Sequence, residues 1–221
     1  MSAPLREALV SALLETLFMV GASSTIAVAM GLPLGLLLLV TGPGHLAPHG
    51  AAHRALGLVV NATRSVPFII LLVSVIPLTR WLVGTSIGTT AAIVPLALAA
   101  APFVARLYEE ALRQVDPAAI EAARSFGASR WQIVTRVLLP EAVPGLVTAT
   151  TVMVVSLVGS SAMAGAVGGG GLGDLGIRYG YQRFQPVVMA VVVLVLMLLV
   201  NAIQWVGDRL AHRAARGART P

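Results

Sequence analysis

The chain has 221 residues, 57% of them hydrophobic and only 11% charged, with a mean hydropathy of +0.88, which excludes an ordinary soluble domain and places it among membrane proteins. Cysteine is absent, so disulfides, thiolate metal sites and a cysteine nucleophile are excluded. The net charge of +6 comes wholly from Arg, since Lys does not occur, and in so apolar a chain it points to Arg-rich cytoplasmic loops rather than nucleic acid.

The N-terminus has one early Arg, two acids (Glu7 and Glu15) and an apolar run longer than a signal core. No cleavable signal peptide is therefore expected. A helix crossing a bilayer needs about 20 mostly apolar residues. Five stretches qualify, at about 16–40, 60–78, 86–107, 144–166 and 186–206. The first contains Gly31 to Gly35. The second is entered by Arg64 and interrupted by Pro67 and Pro77, so its uninterrupted part is short. The expected fold class is an all-α polytopic membrane protein, one transmembrane domain over 1–221 with a long loop, 108–143, between spans three and four.

Orientation follows from arginine asymmetry. Eleven of the fifteen Arg fall on one set of loops and termini: Arg54, Arg64, Arg106, Arg113, Arg124, Arg130, Arg136, Arg209, Arg213, Arg216 and Arg219. Arg6, Arg80, Arg178 and Arg183 fall on the other. The richer side is expected to be cytoplasmic, which puts the N-terminus outside and the C-terminus inside. The basic tail from Arg209 to Thr220 then reads as a positive-inside signal.

The 108–143 loop reads as two short helices. Asp116 is a good N-cap and Pro117 suits the first helical position. Ala119, Ala122, Ala123 and Phe126 share a face of small residues, with Glu121 and Arg124 to its side. Gly127 can take positive φ and end the helix. Ser129 can cap a second helix in which Trp131, Val134 and Leu138 share a face. Pro140 and Pro144 would close that helix before span four. A loop so built either docks on a partner or packs on its own bundle, and the residues alone leave both open.

The segment Glu121–Pro140 resembles the cytoplasmic signature loop of ABC importer permeases: Glu-Ala-Ala, three residues, Gly, nine residues, Ile, one residue, Leu-Pro. Glu121, Ala122, Ala123, Gly127, Leu139 and Pro140 match, and Val137 stands where Ile is usual. Arg64–Leu96, Leu138–Val147 and Ser161–Gly176 are similar to permease subunits of the methionine ABC importer family. The resemblance implies five spans per subunit and a homodimer. It implies two ATP-binding subunits docked on the signature loop, an extracytoplasmic substrate-binding (lipo)protein and a small solute, methionine in that family. It places the chain in a bacterial inner membrane. An importer for another small solute, or a membrane scaffold whose loop only recruits a partner, are the alternatives.

Other chemistry finds little support. Without Lys there is no standard phosphate-binding loop, so any ATP is hydrolysed by a partner and no cofactor is expected. Gly171, Gly173 and Gly176 spell G-x-G-x-x-G, but after a membrane span rather than a strand, so a close-packed outer turn is the better reading. His45, His49 and His53 lie four apart, yet Pro48 and Gly50 interrupt them and no carboxylate is near, so they read as a solvated loop rather than a metal site. No His lies within a span, which disfavours an intramembrane serine protease. The nine acids all fall at span ends or in loops, which disfavours a proton-coupled carrier. In span four, Val152, Ser156, Ser160 and Met163 follow i, i+4, i+8, i+11 and form one mildly polar face ending in a pliable thioether. Ser156, Ser160 and Met163 are candidates for a solute path and its outer gate. The competing reading is that the serines bond backbone carbonyls while the small residues pack helices.

Overall fold

The computed structural model describes residues 3–217, all helix, turn and loop. Its helices are α1 (Ala3–Thr41), α2 (Gly50–Ser65), α3 (Phe68–Ser74), α4 (Ile76–Val83), α5 (Thr89–Arg113), α6 (Pro117–Ser125), α7 (Arg130–Ile133), α8 (Leu139–Ala164), α9 (Gly171–Leu175) and α10 (Pro186–Gly217). Wider π turns occupy Val134–Leu138, Gly165–Gly169 and Gly176–Tyr181. Four helical stretches are long and apolar enough to cross a membrane: Leu5–Thr41, Thr89–Arg113, Arg130–Gly169 and Pro186–Arg216. A fifth arises if α2 and α3, which meet at 102°, count as one.

The middle of the bundle is α1, α5 and α8 packed through Met19, Ala27, Leu96, Val104, Tyr108, Met153 and Leu157. In lipid, apolar burial drives little, and close backbone approach matters more. Gly31 and Gly35 supply it. A Cβ on Gly31 would come within 3.0 Å of the Ala101 carbonyl, and one on Gly35 within 2.7 Å of the Ala105 carbonyl. Gly207 of α10 lies just as tightly on Thr151 of α8. Thr and Ser hydroxyls within the helices, such as Ser24 to the Val20 carbonyl at 2.6 Å and Thr151 to Val147 at 2.9 Å, bond their own helix. No polar group need then face hydrocarbon unsatisfied.

Each end of the bundle has its own small core. At one end Leu39 (α1), Leu112 and Val115 meet Leu138 and Ala142. At the other Ala12 of α1 meets Leu172, Leu175, Val188 and Val192. The two termini therefore lie at opposite ends. Residues 218–221, which include Arg219 and the end of the basic tail, lie outside the described residues.

Four expectations are corrected. The second stretch, 60–78, is not one helix: α2 stops at Ser65, the chain turns sharply at Val66–Pro67, α3 sets off at 102° to it, and α4 starts separately at Ile76. Proline forces the residue before it out of the α region, and Val66 is indeed extended (φ −82°, ψ 125°). α1 begins thirteen residues ahead of the expected span, so Glu15 lies well inside a helix rather than at its end. The bounds 108–143 draw inward: α5 runs on to Arg113, α6 occupies Pro117–Ser125, and the helix leading into α8 starts at Arg130. Finally, Pro140 and Pro144 do not close a second loop helix. Helix is continuous from Arg130 into α8, because the wide turn at Val134–Leu138 absorbs the bond and the space that Pro140 disturbs.

Candidate functional site

At the end holding Leu39, Leu112 and Leu138, α6 stands apart from the bundle. The Asp116 carboxylate accepts a hydrogen bond from the Ala118 N–H at 2.9 Å, and Pro117 fills the first turn. Gly127 has φ +78° and ends the helix, while the Ala128 N–H closes back on the Ala123 carbonyl at 3.1 Å. Ser129 then opens α7 with a capping box: its hydroxyl accepts from the Gln132 N–H at 3.3 Å, and the Gln132 side chain accepts from the Ser129 N–H at 2.8 Å. These short-range signals, all legible in sequence, make a rigid helix-turn-helix.

No residue of α6 is buried. The expected alanine face divides: Ala119 and Ala123 turn half-inward beside Ile120, while Glu121, Ala122 and Phe126 face out, Phe126 at 91% exposure. Trp131 does not share a face with Leu138. It is 74% exposed, and the inward residues are Ile133 and Leu138. Val137 lies in the wide turn and Leu139 packs beside Leu112 and Ala142, while Pro140 is exposed. Phe126 and Trp131 thus stand as large exposed aromatics on a capped helix-turn-helix, the residue type enriched at protein–protein contacts.

Behind α6 lies a cavity of about 200 Å³ lined by Leu46, Leu112, Ile120, His45, Arg113 and Arg124, among others. Partial burial, and then Arg113 nearby, hold the His45 imidazole below its usual range. The other two histidines are spent locally. His49 caps α2 through its ring nitrogen, accepting from the Ala52 N–H at 3.4 Å, and His53 lies 3.0 Å from the Leu38 carbonyl. Among the described residues no three His, Asp or Glu side chains converge as metal ligands would.

Beside this end sits a polar cluster that the sequence reading left without a role. Glu109 is 4% exposed and takes Arg106 at 2.6 Å on one carboxylate oxygen and Arg113 at 2.7 Å on the other. Arg106 also donates to the Asn61 side chain at 3.2 Å, tying α2 to α5. The i, i+3 and i, i+4 spacing of Arg106, Glu109 and Arg113 was the available signal.

The opposite end is built differently. The Glu15 carboxylate accepts from the Gly171 N–H at 2.7 Å and the Thr16 hydroxyl from the Leu172 N–H at 2.9 Å. Two side chains of α1 thus satisfy the first turn of α9. Gly168, Gly170 and Gly171 all have positive φ. The G-x-G-x-x-G stretch is therefore a packed turn whose first two amides are taken by the Glu15 carboxylate and the Thr16 hydroxyl. The row on α8 is exposed at Val152 and Ser156, half-buried at Ser160 and 54% exposed at Met163. Ser161, off that row, is buried and bonds the Val158 carbonyl at 2.8 Å.

Residues 31–216 match the family described as binding-protein-dependent transport system inner membrane component. A protein of Vibrio cholerae named "Probable D-methionine transport system permease protein MetI" is 51% identical over 93% of this chain and 91% of its own length. The D-methionine transport system permease protein of Escherichia coli K12 is 52% identical over 75% and 76% of the two chains. A solved inward-facing MetNI methionine ABC transporter contains a chain 50% identical to this one, with a TM-score of 0.95 over 97% of this chain and 99% of that one. An amino acid ABC transporter solved with histidines shares the fold at a TM-score of 0.75 and 21% identity. The chain therefore belongs to the binding-protein-dependent transport system inner membrane components, the multi-pass permeases of ABC importers.

Proposed function

We propose that the chain is the permease subunit of a methionine ABC importer. Two copies form the path, two ATP-binding subunits dock beneath them and supply the hydrolysis, and an extracytoplasmic binding protein delivers the solute. The permease itself breaks no covalent bond. The observation that carries the reading is the 0.95 TM-score with a chain of the MetNI methionine transporter, at 50% identity over nearly the whole length of both.

In this reading α6 and the start of α7 form the coupling element. Ala122 and Phe126 face the ATPase groove, Gly127 sets the turn, and Glu121 sits at the edge of the contact. Val137, Leu139 and Pro140 tie the element to α8, so a push on α6 reaches the path. The path runs along Ser156 and Ser160 of α8 and closes outside at Met163. The side bearing α6 is cytoplasmic and the N-terminus lies outside, supported by the arginine asymmetry. The five-span count takes the bent α2–α4 stretch as one crossing.

The test is uptake. The protein is reconstituted in liposomes with its ATPase and binding protein and given labelled methionine. ATP-dependent accumulation is expected. An assembled complex that hydrolyses ATP yet accumulates no methionine would point to another solute, and one that binds its ATPase without any transport would be a scaffold. Topology is checked with single cysteines, placed freely in a chain that has none. Ser129→Cys should label only from the cytoplasmic side and Gly84→Cys only from outside.

A further inference from the structure

The helix α10 carries three polar side chains in one row, Asn201, Gln204 and Asp208, spaced i, i+3, i+7. At 1.5 Å per residue they lie about 22, 27 and 33 Å from Pro186. Against a hydrocarbon core of about 30 Å, Asn201 and Gln204 sit within it and Asp208 at its inner edge. All three are exposed on the protomer. None of the ion pairs among the described residues includes Asp208. The neighbouring Arg209 instead stacks its guanidinium 3.4 Å from the Trp205 ring centre. Asn201 donates to the Met197 carbonyl of its own helix at 2.8 Å. An amide such as that of Gln204, or a carboxylate, left against acyl chains would cost several kcal/mol, so such residues turn to protein or water.

The packing says which way they turn. Gly207 lies so close on Thr151 that the α8–α10 approach is fixed beside them. Gln204 and Asp208 then share a cavity of about 300 Å³ with Thr148, Thr151, Val152 and Val155. Thr148 and Val152 continue the α8 row of Ser156, Ser160 and Met163 by the same four-residue step. Asn201 lines the adjoining cavity, which Val155 also borders. The α10 row therefore opens beside Thr148 and Val152, the inner continuation of the α8 row, rather than beside Ser156 and Ser160 themselves.

We infer that the Asn201, Gln204 and Asp208 row lines the inner half of the solute path, facing water rather than lipid, with Gln204 and Asp208 as the polar groups that an amino-acid-sized zwitterion passes on leaving. This rests on the α8 path proposed above. The test is labelling of single-cysteine variants by a charged, membrane-impermeant thiol reagent applied from the cytoplasmic side of the assembled complex. Gln204→Cys and Asp208→Cys should react at least tenfold faster than Val206→Cys, which lies about 200° round the helix from Gln204 at similar depth. Gln204→Leu should lower methionine uptake about fivefold with ATPase copurification intact. Reaction of Gln204→Cys only with a lipid-soluble maleimide would overturn the inference by placing the row against lipid. Oxidative cross-linking of Gln204→Cys between protomers without labelling would overturn it by making the row a subunit interface. Thr148→Cys and Ser156→Cys separate the two readings. If they label and the α10 variants do not, only the α10 assignment falls; if none of the four labels, the α8 path falls with it.

Discussion

Glycines at the two ends of the bundle do opposite work. At Gly127 an added Cβ would meet nothing within 4 Å, so glycine is there only for its positive φ. At the other end a Cβ on Gly165 would come within 2.5 Å of the Asp174 amide, and one on Gly173 would run into the Ala162 carbonyl. There glycine serves the close packing of the 165–176 turn on α8, and α1 completes the turn with Glu15 and Thr16. The 165–176 turn has its contacts within the chain, although Trp81, Tyr181 and Phe184 stand exposed near that end. The end bearing α6 presents a capped helix-turn-helix on which Phe126 and Trp131 are bare and no residue of α6 is buried. On the reading proposed above, the packed turn is the outer closure and the capped helix-turn-helix is the surface that takes the motor.

Substitutions that confuse the two kinds of glycine break the comparison most sharply. Gly173→Val should be the most damaging change, because it drives a branched side chain into backbone that cannot retreat. Overpacking of this kind costs about 1–3 kcal/mol or more, and the purified protein should show a clearly lowered melting temperature or fail to accumulate. Glu109→Ala comes next. It leaves Arg106 and Arg113 without their shared carboxylate, but both arginines are partly exposed and can turn to water, so the loss should stay well below the roughly 3–5 kcal/mol of a fully buried broken pair. Thermal melting in detergent measures it.

The loop substitutions should act on partnership rather than on folding. Gly127→Val should cost about 1 kcal/mol or more in backbone strain, and Gly127→Asn much less, since Asn tolerates the left-handed region. Melting should barely move in either, while uptake should fall at least tenfold for Val and less for Asn. Ala123→Leu is expected to be severe but ambiguous, because Ala123 is half-turned towards its own bundle. Glu121→Ala should be the mildest of these: an exposed charge of this kind is worth under about 1 kcal/mol. Met163→Ala sharpens the opposite end. It should raise basal ATP hydrolysis or alter uptake with assembly intact, and unchanged uptake and hydrolysis would reduce Met163 to packing.

What was legible in the sequence was local. Asp116, Pro117, Gly127 and Ser129 act within four residues of where they stand, so their roles could be read from spacing. Hydropathy marked the long helices because lipid demands about 20 apolar residues in a row. What escaped was non-local or compensated. Glu15 and Thr16 cap an amide pair 156 residues away, and no pattern along the chain joins them. Pro140 looked like a helix end, but the wide turn before it kept the helix whole. Pro67 marked a break without saying that the chain would swing through 102°. Ala119, Ala122 and Ala123 shared a helical face by periodicity, yet the tilt of α6 on Ile120 decided which of them faced out.

Ala122→Leu gives the most direct measurement of whether the free end is the coupling surface. Ala122 is exposed on α6, so a larger side chain there has room in the isolated permease. The wild-type and variant proteins are purified as dimers and compared for copurification of the ATPase and for binding-protein-stimulated hydrolysis. The account requires an unchanged melting temperature and dimer, with the ATPase lost or its stimulated hydrolysis reduced at least tenfold. Full ATPase retention and full stimulation in a normally folded Ala122→Leu dimer would contradict it.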